Sequence, residues 1–125
     1  MSNIKLFESK KVRTHWDADK EKWFFSVIDV IEILTDSSIP KRYWSDLKKK
    51  LQSEGSEAYE KIVRLKMEAP DGKLRDTDVA DTEALLRIIQ SIPSPKAEPF
   101  KQWLAKVGYE RMKEIADPEQ SFDRT

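Results

Sequence analysis

Residues 61–79 read KIVRLKMEAPDGKLRDTDV, and how they fold decides the class of the protein. Val63, Leu65 and Met67 alternate with Arg64, Lys66 and Glu68, the period-two pattern of a strand with one dry and one wet face. Pro70, Asp71 and Gly72 are turn residues. Leu74 and Val79 follow them, so the segment predicts two strands around a tight turn, over 61–79. Helical patterns flank it on both sides, which makes the chain α+β rather than a helix bundle.

Upstream, Ile39-Pro40 opens a helix, because proline is tolerated in a first turn, and Gly55 closes it. Tyr43, Trp44, Leu47 and Leu51 fall on one side of that helix. Before it, Val27, Val30, Ile31 and Leu34 recur at helical spacing, with Ser26 as N-cap and Asp29 placed to complete a capping box. This helix should stop near Thr35, since Thr35-Asp36-Ser37-Ser38 is turn material. Residues 4–7, 11–16 and 22–25 read as small N-terminal strands of a hairpin or meander. Downstream, Asp81 caps a helix whose buried side is Ala84, Leu85, Ile88, Ile89 and Ile92. Pro93 and Pro95 break it, and a last helix begins between Ser94 and Pro99, with Phe100, Trp103, Leu104, Val107 and Ile115 as its stripe. Residues 1–116 then form one domain, and the polar tail 117–125 reads as the start of a linker to an absent C-terminal domain.

The charge is balanced overall: 23 Lys and Arg face 23 Asp and Glu among 125 residues. Only segregation of the signs can therefore point to a partner. Cysteine is absent, which removes disulfides, thiolate chemistry and sulfur-based zinc sites. No apolar run approaches the ~20 residues of a membrane helix, and the N-terminus lacks the apolar core of a signal peptide. A cytoplasmic protein without a membrane partner is the default expectation.

The positive charge does segregate. Across 40–52, Lys41, Arg42, Lys48, Lys49 and Lys50 oppose Asp46 alone. Across 61–75, Lys61, Arg64, Lys66, Lys73 and Arg75 oppose Glu68 and Asp71. The two helices at 26–52 have a helix-turn-helix-like outline, and the basic hairpin after them is wing-like. Lysines and arginines so placed would meet phosphates and release counterions. Arg42, Ser45 and Gln52 are types that hydrogen-bond base edges. The DNA-binding candidates are thus Lys41, Arg42, Ser45, Lys48, Lys49 and Gln52 on the helix, with Lys61, Arg64, Lys66, Lys73 and Arg75 on the hairpin. The plain alternative is a pair of solvated charged faces. The acidic residues concentrate elsewhere, at Asp76, Asp78, Asp81 and Glu83 and again at Glu110, Glu114, Asp117 and Glu119, which would orient the domain on a polyanion. Trp16, Trp23, Phe24, Trp44 and Trp103 could stack on bases, but their spacing favours core packing, with Tyr43 the one least expected to be buried.

Signals for catalysis are weak. The single His15, near Asp17 and Asp19, does not define a triad, and one histidine without cysteine builds no standard zinc site. Glu68, Asp71 and Lys73 have the residue types of a nuclease centre, yet the proline and glycine between them make a hairpin turn the stronger reading. There is no phosphate-binding glycine loop. No enzyme, cofactor or metal is expected.

Two longer signatures carry a resemblance. WFFSVIDVIEIL, residues 23–34, resembles the opening of Bro-N domains, the N-terminal DNA-binding domains of baculovirus repeated-ORF proteins and phage antirepressors; Trp23, Phe24, Asp29 and Val30 carry it. DTEALLRIIQSIPSPKAEPFKQWL, residues 81–104, resembles the second family signature through Leu85, Leu86, Ser94, Lys96, Ala97, Phe100 and Trp103. The chain departs from the pattern where Thr35-Asp36-Ser37-Ser38 replaces a glycine and in the sequence after Trp103, and there it looks closer to the bacterial subgroup of DNA-damage-inducible protein D and prophage antirepressor-like proteins. The resemblance implies an N-terminal module that binds nucleic acid in transcription regulation, with a separate C-terminal domain. Its alternative is a module that engages a repressor or a DNA-processing protein, or pairs as a homodimer through Trp103, Val107 and Met112 on the last helix.

Overall fold

A computed structural model describes residues 2–116 of the protein, with side chains described over residues 4–107. The tail 117–125, with its expected linker role, lies outside the described residues, as do the side chains of Met112 and Ile115. Among the described residues, β1 (Ser2–Phe7), β2 (Lys10–Asp17) and β3 (Lys22–Ser26) form an antiparallel meander. The chain continues through α1 (Val27–Thr35), α2 (Pro40–Ser53) and a short α3 (Glu57–Glu60). It returns as β4 (Val63–Glu68) and β5 (Leu74–Asp81), then ends in α4 (Thr82–Gln90) and α5 (Ala97–Ala116). β5 pairs with β3, so the meander and the later hairpin join into one antiparallel sheet of order β1-β2-β3-β5-β4. The architecture is α+β, as the period-two segment required.

Local chemistry explains the boundaries. The Ser26 hydroxyl accepts from the Asp29 N–H at 3.4 Å and starts α1. Asp36, with φ of 53°, closes α1 in the left-handed region by donating its N–H to Glu32. Pro40 takes the first turn of α2, where its missing N–H costs nothing. The Asp81 carboxylate accepts from Ala84 N–H at 2.8 Å and starts α4. At the hairpin turn Gly72 has φ of 82°, and its N–H donates to the Ala69 carbonyl at 2.8 Å.

Three expectations change. Helix α3 is an addition: Ser56 caps it and Ala58 is buried, but four residues are too few for a periodic signal. Lys61 belongs to the C-terminal end of α3, ahead of the hairpin rather than on it. Asp29 does not complete a capping box; its carboxylate turns away to accept three hydrogen bonds from Arg13.

The helices all contribute to one core on one face of the sheet. Phe7, Val12, Trp23, Phe25 and Ala80 of the sheet meet Val30 and Ile31 of α1, Trp44 and Leu47 of α2, Leu85 and Ile88 of α4, and Phe100 and Leu104 of α5. Phe24 alternates with Trp23 and Phe25, so it points to the other face. There it makes a smaller cluster with Met67 and Val79, flanked by Val63 and Leu65. Among the described residues, no helix is long and apolar enough to cross a membrane.

Leu85 has no exposed surface and sits in the main cluster between sheet and helices. Leu85→Ala is expected to lower unfolding free energy by about 2–5 kcal/mol through lost burial and a residual cavity. A denaturant midpoint shift at unchanged m value checks it.

Candidate nucleic-acid interface

The face of α2 follows from its spacing. At about 100° per residue, Lys41, Arg42, Ser45, Lys48, Lys49 and Gln52 fall within one arc of about 120°. Trp44, Leu47 and Leu51 fall outside that arc and are buried. Lys41, Arg42, Ser45, Lys49 and Gln52 are exposed, while Lys48 is half-buried. Six sequence-predicted residues are therefore brought together on one helix face. Tyr43 is half-buried, packed against the core beside Trp44.

Lys48 differs from the others because it is anchored. Its ammonium donates to Asp78 Oδ2 at 2.8 Å, and the Trp44 indole N–H donates to the same oxygen at 2.9 Å. Arg64 Nε reaches Asp78 Oδ1 at 3.5 Å from the neighbouring strand. One carboxylate of β5 thus holds α2 through two side chains one helical turn apart and holds β4 through a third. Burial pushes the Asp78 carboxyl up, but hydrogen bonds from Lys48 and Trp44 and the charges of Lys48 and Arg64 outweigh it. The net effect holds Asp78 below its ordinary value.

On the hairpin, register decides the charge. Arg64 lies opposite Asp78 and Lys66 opposite Asp76, and each cation pairs with the acid facing it, Lys66 at 3.1 Å. Arg75 pairs with Asp71 across the turn, and Lys61 with Glu83 at 3.2 Å. The cationic surplus counted over 61–75 is therefore reduced, because Asp76 and Asp78 return beside β4. These are mostly exposed pairs, each worth roughly 0–1 kcal/mol, so an incoming phosphate can compete for the cation. Among the described residues, Lys41, Arg42, Lys49 and Lys73 form no ion pair with a carboxylate. Of the sequence-predicted cations, those without a carboxylate partner among the described residues are therefore Lys41, Arg42 and Lys49 on α2 and Lys73 at the hairpin turn.

The aromatic residues mostly serve packing. Trp23, Phe24 and Trp44 are buried. Trp103 meets Phe7 and Phe25 edge-on and Phe100 at a tilt, and donates its indole N–H to the Leu6 carbonyl at 2.8 Å. His15 is half-buried on β2, opposite Phe24.

The polar cluster that sequence reasoning missed is built on Arg13. Its guanidinium and its own main-chain N–H converge on Asp29, and it also reaches Ser26 and the Glu68 carbonyl. Hydrogen bonding to Asp29 raises the Arg13 pKa further, against the effect of burial. Arg13 and Asp29 are 16 positions apart in sequence, and no local pattern joins a strand residue to a helix residue at that distance.

Residues 11–110 match the family model Bro-N, the BRO family N-terminal domain, and the chain belongs to that family. No curated protein and no solved structure gives a match.

The depressed pKa of Asp78 sets a pH window. The unfolded carboxylate titrates near about 3.9. The clamp is therefore fully stabilising above that value and is lost as pH falls through the lower folded value. The Trp44 indole N–H resonance is expected to shift only below about pH 4, and Asp78→Asn should abolish that titration. An NMR acid titration of both proteins checks it.

Proposed function

We propose that this Bro-N chain is a DNA-binding regulatory module of the phage or prophage antirepressor type. In this reading α1, the turn and α2 act as a helix-turn-helix, with α2 in the major groove and the β4–β5 hairpin as a wing against the backbone. The observation that supports it is the single arc of α2, on which Lys41, Arg42 and Lys49 carry positive charge without carboxylate partners among the described residues. A groove about 12 Å wide admits a helix, and free cations on its outer face meet phosphates without first breaking ion pairs. Arg42, Ser45 and Gln52 supply the hydrogen-bonding groups that base edges need. The subgroup of DNA-damage-inducible protein D, the role in transcription regulation and the binding rather than catalytic character belong to the same proposal.

In this reading four of the sequence candidates take other roles, with Lys61 paired to Glu83 and Lys66 to Asp76. Lys48 works first as an anchor of α2 on Asp78, and Arg64 shares that carboxylate. Contacts to DNA are carried by Lys41, Arg42, Ser45, Lys49 and Gln52, with Lys73 and Arg75 from the hairpin. The alternative, a surface on the last helix for a repressor, a DNA-processing protein or a second copy, loses two of its residues to packing. Trp103 and Val107 lie half-buried against the core.

Lys41→Gln with Lys49→Gln should leave the circular dichroism spectrum unchanged, because both side chains are exposed. Binding to duplex DNA should weaken, and the slope of log K against log salt should fall by about 1.8, at roughly 0.9 per phosphate contact. A fluorescence anisotropy titration across a salt series reads both quantities. An unchanged slope removes α2 from the interface, and no binding by the unaltered chain at any salt favours the protein-partner reading.

A further inference from the structure

We propose that Arg13 is the positioning residue of the nucleic-acid surface, fixing the β4–β5 turn, with Lys73 and Arg75, relative to α1 and α2. The inference rests on the DNA-binding reading above and adds a residue outside the helix and hairpin that carry it.

The geometry is a clamp of three elements. The Arg13 main-chain N–H and Nε both donate to Asp29 Oδ2, at 2.9 and 2.8 Å, and Nη2 donates to Asp29 Oδ1 at 3.0 Å. Nη2 also donates to the Ser26 hydroxyl at 3.2 Å, and Nη1 to the Glu68 carbonyl at 3.1 Å. Asp29 belongs to α1, Ser26 ends β3, and Glu68 is the last residue of β4. In the sheet, β3 and β5 lie between β2 and β4, so no ladder bond joins β2 to the end of β4. β3 stops at Ser26, and beyond it the Asp29 carboxylate, instead of a neighbouring strand, accepts the Arg13 N–H.

The turn has room to move on this side. A groove of about 850 Å3 lies between the turn residues Ala69 and Pro70, α1 and the β1–β2 hairpin, and Arg13 and Asp29 line it. Among the described residues, the Arg13 guanidinium provides the side-chain hydrogen bond that crosses from β2 to the end of β4. The root of the hairpin is already held by the β3–β5 ladder at Val79–Asp81 and by Asp78, so Arg13 supplies the attachment nearer the turn. Attachment at the root alone leaves the far end of a two-stranded ribbon free to bend, and a contact near the turn fixes its direction. Lys73 and Arg75 lie just beyond that contact. A planar fork can bridge a carboxylate, a hydroxyl and a carbonyl at once, whereas a lysine ammonium on a flexible stem cannot match that geometry.

The test compares salt slopes of duplex-DNA binding, with thermal denaturation recorded for each protein. The unaltered chain is measured beside Arg13→Gln, Arg13→Lys, the pair Lys73→Gln/Arg75→Gln, and that pair combined with Arg13→Gln. The pair should lower the slope by about 1.8, at roughly 0.9 per phosphate. A positioning role predicts that each Arg13 variant lowers the slope as far as the pair does, and that the combination lowers it no further, because coupled residues are not additive. A fall of about 0.9 that adds to the pair would mean that Arg13 itself meets a phosphate, and overturns the proposal. So does a lowered melting temperature with an unchanged slope, which is all that a purely structural role produces. The lysine variant keeps the charge and carries the test if the glutamine variant does not fold. Absence of binding by the unaltered chain would defeat the DNA-binding reading itself, and is seen before any variant is compared.

Discussion

The candidate surface depends on one buried carboxylate. Asp78 stands on β5 and receives the Trp44 indole N–H, the Lys48 ammonium and the Arg64 guanidinium. Trp44 and Lys48 are one turn apart on α2, so Asp78 holds both the position of that helix and its rotation about its own axis. The rotation is what turns the arc of Lys41, Ser45, Lys49 and Gln52 outward. Leaving a buried charge without partners is costly, which is why three donors converge on it. The same residue also defines the limit of the basic surface, since it neutralises Lys48 and shares its charge with Arg64.

The sheet explains how a hairpin distant in sequence reaches α2 at all. β5 pairs with β3, so the hairpin is built into the body of the domain and does not project from it on a free linker. All the helices bury their apolar stripes on one sheet face, and the hairpin's cross-strand charge pairs follow from the register of β4 on β5. Charge counted along the chain and charge presented in space therefore differ. Arg64 and Lys66 belong to a basic run when read in order, but to neutralised pairs once β5 returns beside them.

Much of the fold was legible from local chemistry. The three N-terminal strands, the hairpin, the Ser26 and Asp81 caps, the stop at Thr35 and the start at Pro40 each depend on residues within about four positions of one another. The α2 face of the site was legible for the same reason: helical spacing places its side chains. Helix α3 was not, because one turn has no period. The Asp29 partner was not, because a capping aspartate and an ion-paired one have the same sequence pattern until the strand that supplies Arg13 is in place.

Apart from α3 and the start of β4, the sequence alone determined which segments are helix and strand, about where they begin and end, and which faces are apolar. These outcomes rest on backbone sterics, hydrogen bonds within one turn, and side-chain periodicity, all of which act over a few residues. The tertiary structure decided which cations remain free. Lys48 meets Asp78 at a sequence separation of 30, and Arg13 meets Glu68 at a separation of 55. Electrostatic pairing acts between neighbours in space, and which residues become neighbours is decided only when the hydrophobic faces pack.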